Sequence, residues 1–188
     1  MARLFAALPV DAAAADALAP ARALLEPFSS IIKTVAPQSY HITLKFFGEC
    51  DGARARAIEA ALDRISPPGA LDYALCGLGA FPSSRNASAI WCGIRADLDP
   101  MRRLAGEIED LAERLGFPRE GRPFAPHLTL ARVRRGRRPP AALAACIDGN
   151  ARTLFGESAF DRVALFSSRL RPEGPEYTPL RVITLPAP

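Results

Sequence analysis

The chain has 188 residues, 49% of them hydrophobic, with a formal charge of +4 and a sequence pI of about 9.2. That length suits one ordinary domain or two small lobes sharing a cleft, and the apolar fraction is enough to build a core. No apolar run is long enough to span a bilayer, and Cys50, Cys76, Cys92 and Cys146 form no C-x-x-C pair. An integral helical membrane protein, a zinc knuckle and a disulfide framework are thereby set aside, and a cytoplasmic protein in a reducing compartment is expected.

RLFAAL (3–8) reads as a short buried strand, and Asp11 is placed to cap a helix whose apolar positions Ala14, Leu18, Ala21 and Leu25 recur at helical spacing. YHITLKFF (40–47) is β-branched and aromatic, so it predicts a second strand, ended by Gly48. Asp51 then opens a helix carrying Ile58, Ala61, Leu62 and Ile65, which Pro67 and Pro68 terminate. LDYALCGLGAF and SAIWCGIRA, separated by the turn-rich FPSSRN, predict a hairpin.

From Asp99 to Leu115, Met101, Leu104, Ile108 and Leu111 step by three or four residues, Gly116 follows and Pro118 marks the exit. HLTLARV (127–133) is the next strand, followed by a proline- and arginine-rich loop, a weaker helix at 140–148, and strands near 161–168 and 179–186. Strands and helices mix without strict βαβ alternation, which predicts an α+β fold with antiparallel sheets.

Only two histidines occur, and each begins a His-aliphatic-Thr-Leu tetrapeptide: HITL at His41 and HLTL at His127. A chance coincidence of this kind has a probability on the order of 10⁻⁴. On a strand, residues i and i+2 share a face, so His41 projects beside Thr43 and His127 beside Thr129, with the aliphatic residues turned to the core. Imidazole moves protons near neutral pH and a hydroxyl donates to an anionic oxygen without titrating. Two such pairs across a cleft can hold a phosphate, one imidazole taking a proton from water while the other gives one to the leaving oxygen. In-line displacement needs the entering and departing oxygens on opposite sides of phosphorus, hence two separate strands. A lone strand histidine is more often structural, but duplication argues otherwise. Catalytic zinc usually takes three protein ligands, and neither motif has H-x-H, H-E-x-x-H or C-x-x-C spacing, so no metal is expected.

These residues also carry a family likeness. The chain resembles the 2H phosphoesterases, named for two H-x-T-x motifs, and within them the bacterial and archaeal RNA 2′,3′-cyclic phosphodiesterases once described as 2′–5′ RNA ligases. The likeness runs through RLFAALPV, HITLKFFGE, LGAFPSSRNASAIWCGI, GFPREGRPFAPHLTLARV and ALFSSRL, nearly the whole chain. It implies a bilobal fold with two antiparallel β-sheets, flanking helices, a central cleft and pseudo-twofold symmetry, as a single domain of two lobes over 1–188. It implies His41 as proton donor to the leaving oxygen, His127 as acceptor from water, and Thr43, Thr129 and Arg132 as phosphate-binding groups. It implies products ending in a 2′-phosphate and a free 3′-hydroxyl, no cofactor, and 2′–5′ ligation as a side activity.

Two flanking residues are less determined. Strand parity sets Arg132 on the side of Leu128 and Leu130 unless a bulge or the strand's end re-aims it, whereas Lys45 shares the face of His41 and Thr43, or is an exposed edge-strand lysine. Tyr40, Trp91 and Phe124 are candidates for stacking on a base, with core packing the commoner fate of such residues. The cluster Arg132, Arg134, Arg135, Arg137 and Arg138 suits a polyanion or a solvated loop in a chain whose basic residues, apart from Lys33 and Lys45, are all arginine. The expected partner is RNA with a 2′,3′-cyclic phosphate end or a cyclic nucleotide, with no membrane and no obligatory protein partner, the chain acting as a monomer. The alternative is a non-catalytic RNA-end-binding protein.

Overall fold

The computed structural model describes residues 1–171 and 174–186. The first strand, β1 (Ala2–Pro9), is buried along nearly its whole length, as its apolar run requires, because it is hydrogen-bonded on both edges. Asp11 then accepts a hydrogen bond from the Ala14 amide at 2.6 Å and starts α1 (Ala12–Ala17). The single helix expected here is two: Pro20, which cannot continue an i to i−4 ladder, starts α2 (Ala19–Leu25) afresh, with Leu18 at the joint. A three-residue strand, β2 (Ile32–Thr34), precedes β3 (His41–Cys50), and Asp51 caps α3 (Gly52–Leu62) through the Arg54 amide at 2.8 Å.

The hairpin forms from β4 (Leu71–Phe81) and β5 (Ala89–Arg95). Helix α4 (Leu98–Arg114) buries Met101, Leu104, Ala105, Ile108 and Ala112 on one face. It ends where Gly116 turns to φ +80° and the Phe117 amide reaches back to the Ala112 carbonyl at 3.0 Å, a Schellman closure. Phe117 then meets Phe47 edge-on at 5.2 Å, tying this helix end to β3. The remaining elements are β6 (His127–Val133), α5 (Ala141–Gly149), β7 (Leu154–Phe160), β8 (Arg162–Arg171) and β9 (Gly174–Thr184). The short β2 and the half-exposed β7 were not expected.

All pairings are antiparallel, in the order β7-β4-β5-β6-β3-β1-β8-β9, with β2 added on β6. The order is palindromic about its middle: β6 and β3 at the centre, then β5 and β1, β4 and β8, β7 and β9. The two sheets that the sequence suggests are the two halves of this path, joined through one residue pair, Ile42 with Leu128. Each half contributes one motif strand at the seam. The halves are interleaved in sequence, since β1 and β3 join β8 and β9, while α1 packs against β7 and α4 against β3. A continuous apolar core runs beneath both.

Candidate active site

Continuing the Ile42–Leu128 register by one residue either way sets His41 across from Thr129 and His127 across from Thr43, since each pair of numbers sums to 170 as 42 and 128 do. The four polar residues of the two tetrapeptides therefore form a rectangle on one face of the seam, and all four line one cleft of about 1050 Å³. Ile42, Leu44, Leu128 and Leu130 are buried on the opposite side. This is the alternation the sequence predicts.

Both imidazoles are anchored alike. Nδ1 of His41 lies 2.7 Å from the Ser39 carbonyl, and Nδ1 of His127 lies 2.8 Å from the Ala125 carbonyl. A carbonyl oxygen only accepts, so each Nδ1 carries the proton and donates, which leaves each Nε2 as the atom available for proton transfer in the cleft. In both cases the anchor is the residue two positions upstream, in the segment that leads into the strand.

The ring environments differ. His41 sits among aromatics, with Phe5 at 4.9 Å and the edge of Tyr177 at 5.3 Å. His127 meets Phe81 edge-on at 4.9 Å and Trp91 at 6.3 Å. Burial holds His41 below the ordinary imidazole range, and the positive fields of His127 and Arg132 push the same way, while its bond to the Ser39 carbonyl opposes them. An anion in the cleft would offset the repulsion from those two groups. By NMR, the His41 titration in the free protein should lie below the usual 6.5 and move upward when inorganic phosphate is added. An unchanged midpoint with phosphate bound would show that no anion reaches the ring.

Arg132 lies in the cleft because β6 bulges. Ile90 pairs with Ala131 but Trp91 with Thr129, so Leu130 is the extra residue and everything after it changes face. The same defect occurs in β3, where Ala6 pairs with Lys45 and Ala7 with Thr43, making Leu44 the extra residue. That corrects the expectation for Lys45. It does not share the face of His41 and Thr43, nor is it an exposed edge lysine: it is 2% exposed and donates to Glu109 at 2.8 Å and to the Pro118 carbonyl at 2.7 Å. Phe46 takes the cleft-facing position instead, 59% exposed and 5.8 Å from Phe5. The sixth residue of each motif strand is thus re-aimed into the cleft, phenylalanine in one and arginine in the other.

Of the aromatics considered for stacking, Phe124 packs against the core and Tyr40 is buried at the cleft wall. The Trp91 ring lies directly over Gly79, its cross-strand partner, where any Cβ would meet the ring. Tyr177 is a cleft residue that the sequence did not disclose. It arrives through the β8–β9 ladder, opposite Ser168, and nothing in its local sequence marks it. Burial raises its hydroxyl pKa, with Arg132 partly opposing. Among the described residues, no three His, Cys, Asp or Glu side chains gather as a metal ligand set. Among them, too, no helix is long and apolar enough to cross a membrane.

Paired motif strands at a pseudo-twofold seam are matched by one family model, LigT-like phosphoesterase, which fits the chain twice, over residues 8–91 and 94–177. The chain belongs to that family. Relatives include the RNA 2′,3′-cyclic phosphodiesterase of Archaeoglobus fulgidus, 32% identical over 96% of this chain and 98% of its own. That of Methanothermobacter thermautotrophicus is 30% identical over 97% of this chain and 98% of its own. Among solved structures, Escherichia coli LigT complexed with 3′-AMP superposes with a TM-score of 0.77 at 26% identity, covering 98% of both chains. The fold and the family expected from the sequence therefore stand. The two matches of the LigT-like model each contain one motif histidine, as a duplicated scaffold with one histidine per repeat requires.

Proposed function

We propose that this LigT-like protein is an RNA 2′,3′-cyclic phosphodiesterase that works by two-histidine acid–base catalysis without a metal. The observation that carries the reading is the rectangle of His41, Thr43, His127 and Thr129, with both Nδ1 atoms committed to backbone carbonyls and both Nε2 atoms available. The names of the relatives agree with the activity.

The cyclic phosphate lies between the two strands, its non-bridging oxygens accepting from the Thr43 and Thr129 hydroxyls and facing the Arg132 guanidinium. Nε2 of His127 takes a proton from water as the water oxygen bonds to phosphorus, and the bond from phosphorus to the ribose 3′-oxygen breaks. Nε2 of His41 gives its proton to that oxygen, leaving a 2′-phosphate and a free 3′-hydroxyl. His41 is disfavoured as a cation in the empty cleft, so the anionic substrate itself promotes protonation of the donor. All these groups come from one chain, so a monomer suffices. If a 5′-hydroxyl of another RNA end replaces water as the attacking group, the same bond to the 3′-oxygen breaks and a 2′–5′ linkage forms; at low end concentration water prevails, making ligation a side activity.

The test is product analysis on a short RNA bearing a 2′,3′-cyclic end, with EDTA present. Conversion to 2′-phosphate is expected. A 3′-phosphate product would reverse the leaving group, loss of turnover on chelation would remove the metal-free mechanism, and binding with no turnover would favour the RNA-end binder.

A further inference from the structure

We propose that the arginine turn that follows β6 is a docking strip for the backbone of an RNA chain whose end occupies the cleft. The inference rests on the phosphodiesterase reading and adds a path for the chain. Arg132, at the cleft, pairs in register with Lys33 of β2, and Lys33 and Thr34 line the cleft beside it. Beyond Val133 the chain stays fastened to the segment before β2: the Arg134 amide donates to the Ile31 carbonyl at 2.8 Å and its Nε to the Ser29 carbonyl at 3.3 Å. The Arg137 amide then bonds the Arg134 carbonyl at 3.0 Å across Gly136, whose φ of +75° closes the turn.

This fastening presents Arg135, Arg137 and Arg138 at the surface, all exposed and none in an ion pair among the described residues. Neither 29–40, which supplies lining residues from Lys33 to Tyr40, nor 121–147, which supplies His127, Thr129 and Arg132 and then the turn, contains a single Asp or Glu. Elsewhere in the lining the charges are mixed: Arg3 is paired with Glu49 at 3.8 Å, and Glu176 is a further acid. A polyanion whose terminal phosphate sits between the histidines is therefore drawn toward the β2–β6 end. Arg134 is about two residues, or roughly 7 Å, beyond Arg132, within reach of the next phosphates of an extended strand. Backbone phosphates contacted this way supply affinity without sequence preference.

The experiment compares the wild-type protein with a variant combining Arg135→Gln, Arg137→Gln and Arg138→Gln, leaving Arg134 to hold the turn. Substrates are a 2′,3′-cyclic mononucleotide and an RNA of about ten nucleotides with the same end. On the RNA, kcat/KM should fall about tenfold and the slope of its logarithm against log salt should flatten by about 2, while turnover of the mononucleotide is unchanged. Equal losses on both substrates, or no loss on the RNA, would overturn the proposal. Should the wild type hydrolyse neither, the phosphodiesterase reading fails. The strip is then decided by fluorescence anisotropy with a 3′-phosphorylated RNA, where equal affinity of variant and wild type overturns it and a weaker, less salt-dependent variant supports it.

Discussion

Replacing either His41 or His127 by asparagine is expected to lower kcat on a 2′,3′-cyclic phosphate end by roughly 10²–10⁴ while the protein stays folded. Asparagine is the informative choice because its amide nitrogen can replace Nδ1 as donor to the Ser39 or Ala125 carbonyl, whose bonds of 2.7 and 2.8 Å anchor the rings. What it removes is Nε2, the atom proposed to give the proton in His41 and to take it in His127. The two losses should not multiply, since either imidazole alone leaves half of a concerted proton exchange, and the double variant should be only modestly worse than the poorer single one. Residual turnover in all three would come from the threonine hydroxyls and Arg132, the groups proposed to hold the phosphate without exchanging protons. Single variants that keep wild-type kcat would remove the assignment outright, whereas losses accompanied by a collapse in thermal stability would mark the histidines as structural.

The second large effect concerns stability. Glu109→Ala is expected to destabilise the fold by about 3–5 kcal/mol, because it leaves the ammonium of Lys45 in the interior without its counter-ion. The Lys45 side chain is 1% exposed and that of Glu109 only 14%, so solvent screens this pair little. For a chain of this size each kcal/mol moves Tm by roughly 2–4 °C, and calorimetry should therefore show a drop of roughly 6–20 °C. The double variant Lys45→Met with Glu109→Leu separates the causes: with both charges gone, stability should return most of the way. A double variant as unstable as the single one would mean that Glu109 matters through its other contact, the Glu120 amide at 3.3 Å, rather than through the charge of Lys45.

These two predictions stand on opposite sides of what the sequence discloses. The tetrapeptides could be read directly, because alternation on a half-buried strand is a local property and HITL and HLTL obey it through their fourth residue. Lys45 could not be read, and Arg132 only conditionally, because a bulge is decided by the neighbouring strand. The extra residue in β3 is set by how Ala6 and Ala7 of β1 pair with it, and that in β6 by Ile90 and Trp91 of β5. The α4 helix was legible from its apolar spacing and its glycine stop. The split at Leu18 turned on one proline, and β2, three residues long, carries too little pattern to stand out from a loop. Tyr177 reaches His41 through tertiary pairing alone, so no short-range signal could have placed it.

The paired bulges have a consequence for direction. A scaffold repeated about a twofold axis, with identical histidines and threonines on each side, presents the same groups to a phosphate entering in either of two orientations. The bulges break this equivalence at one position, turning the aromatic ring of Phe46 into the cleft on one side and the guanidinium of Arg132 into it on the other. The backbone is nearly indifferent to which way round a ligand lies, while the chemistry on it is vectorial. A nucleoside phosphate, with an aromatic base on one flank and an anionic phosphate on the other, has a preferred heading in such a cleft, and the heading determines which of its two ester oxygens faces which imidazole.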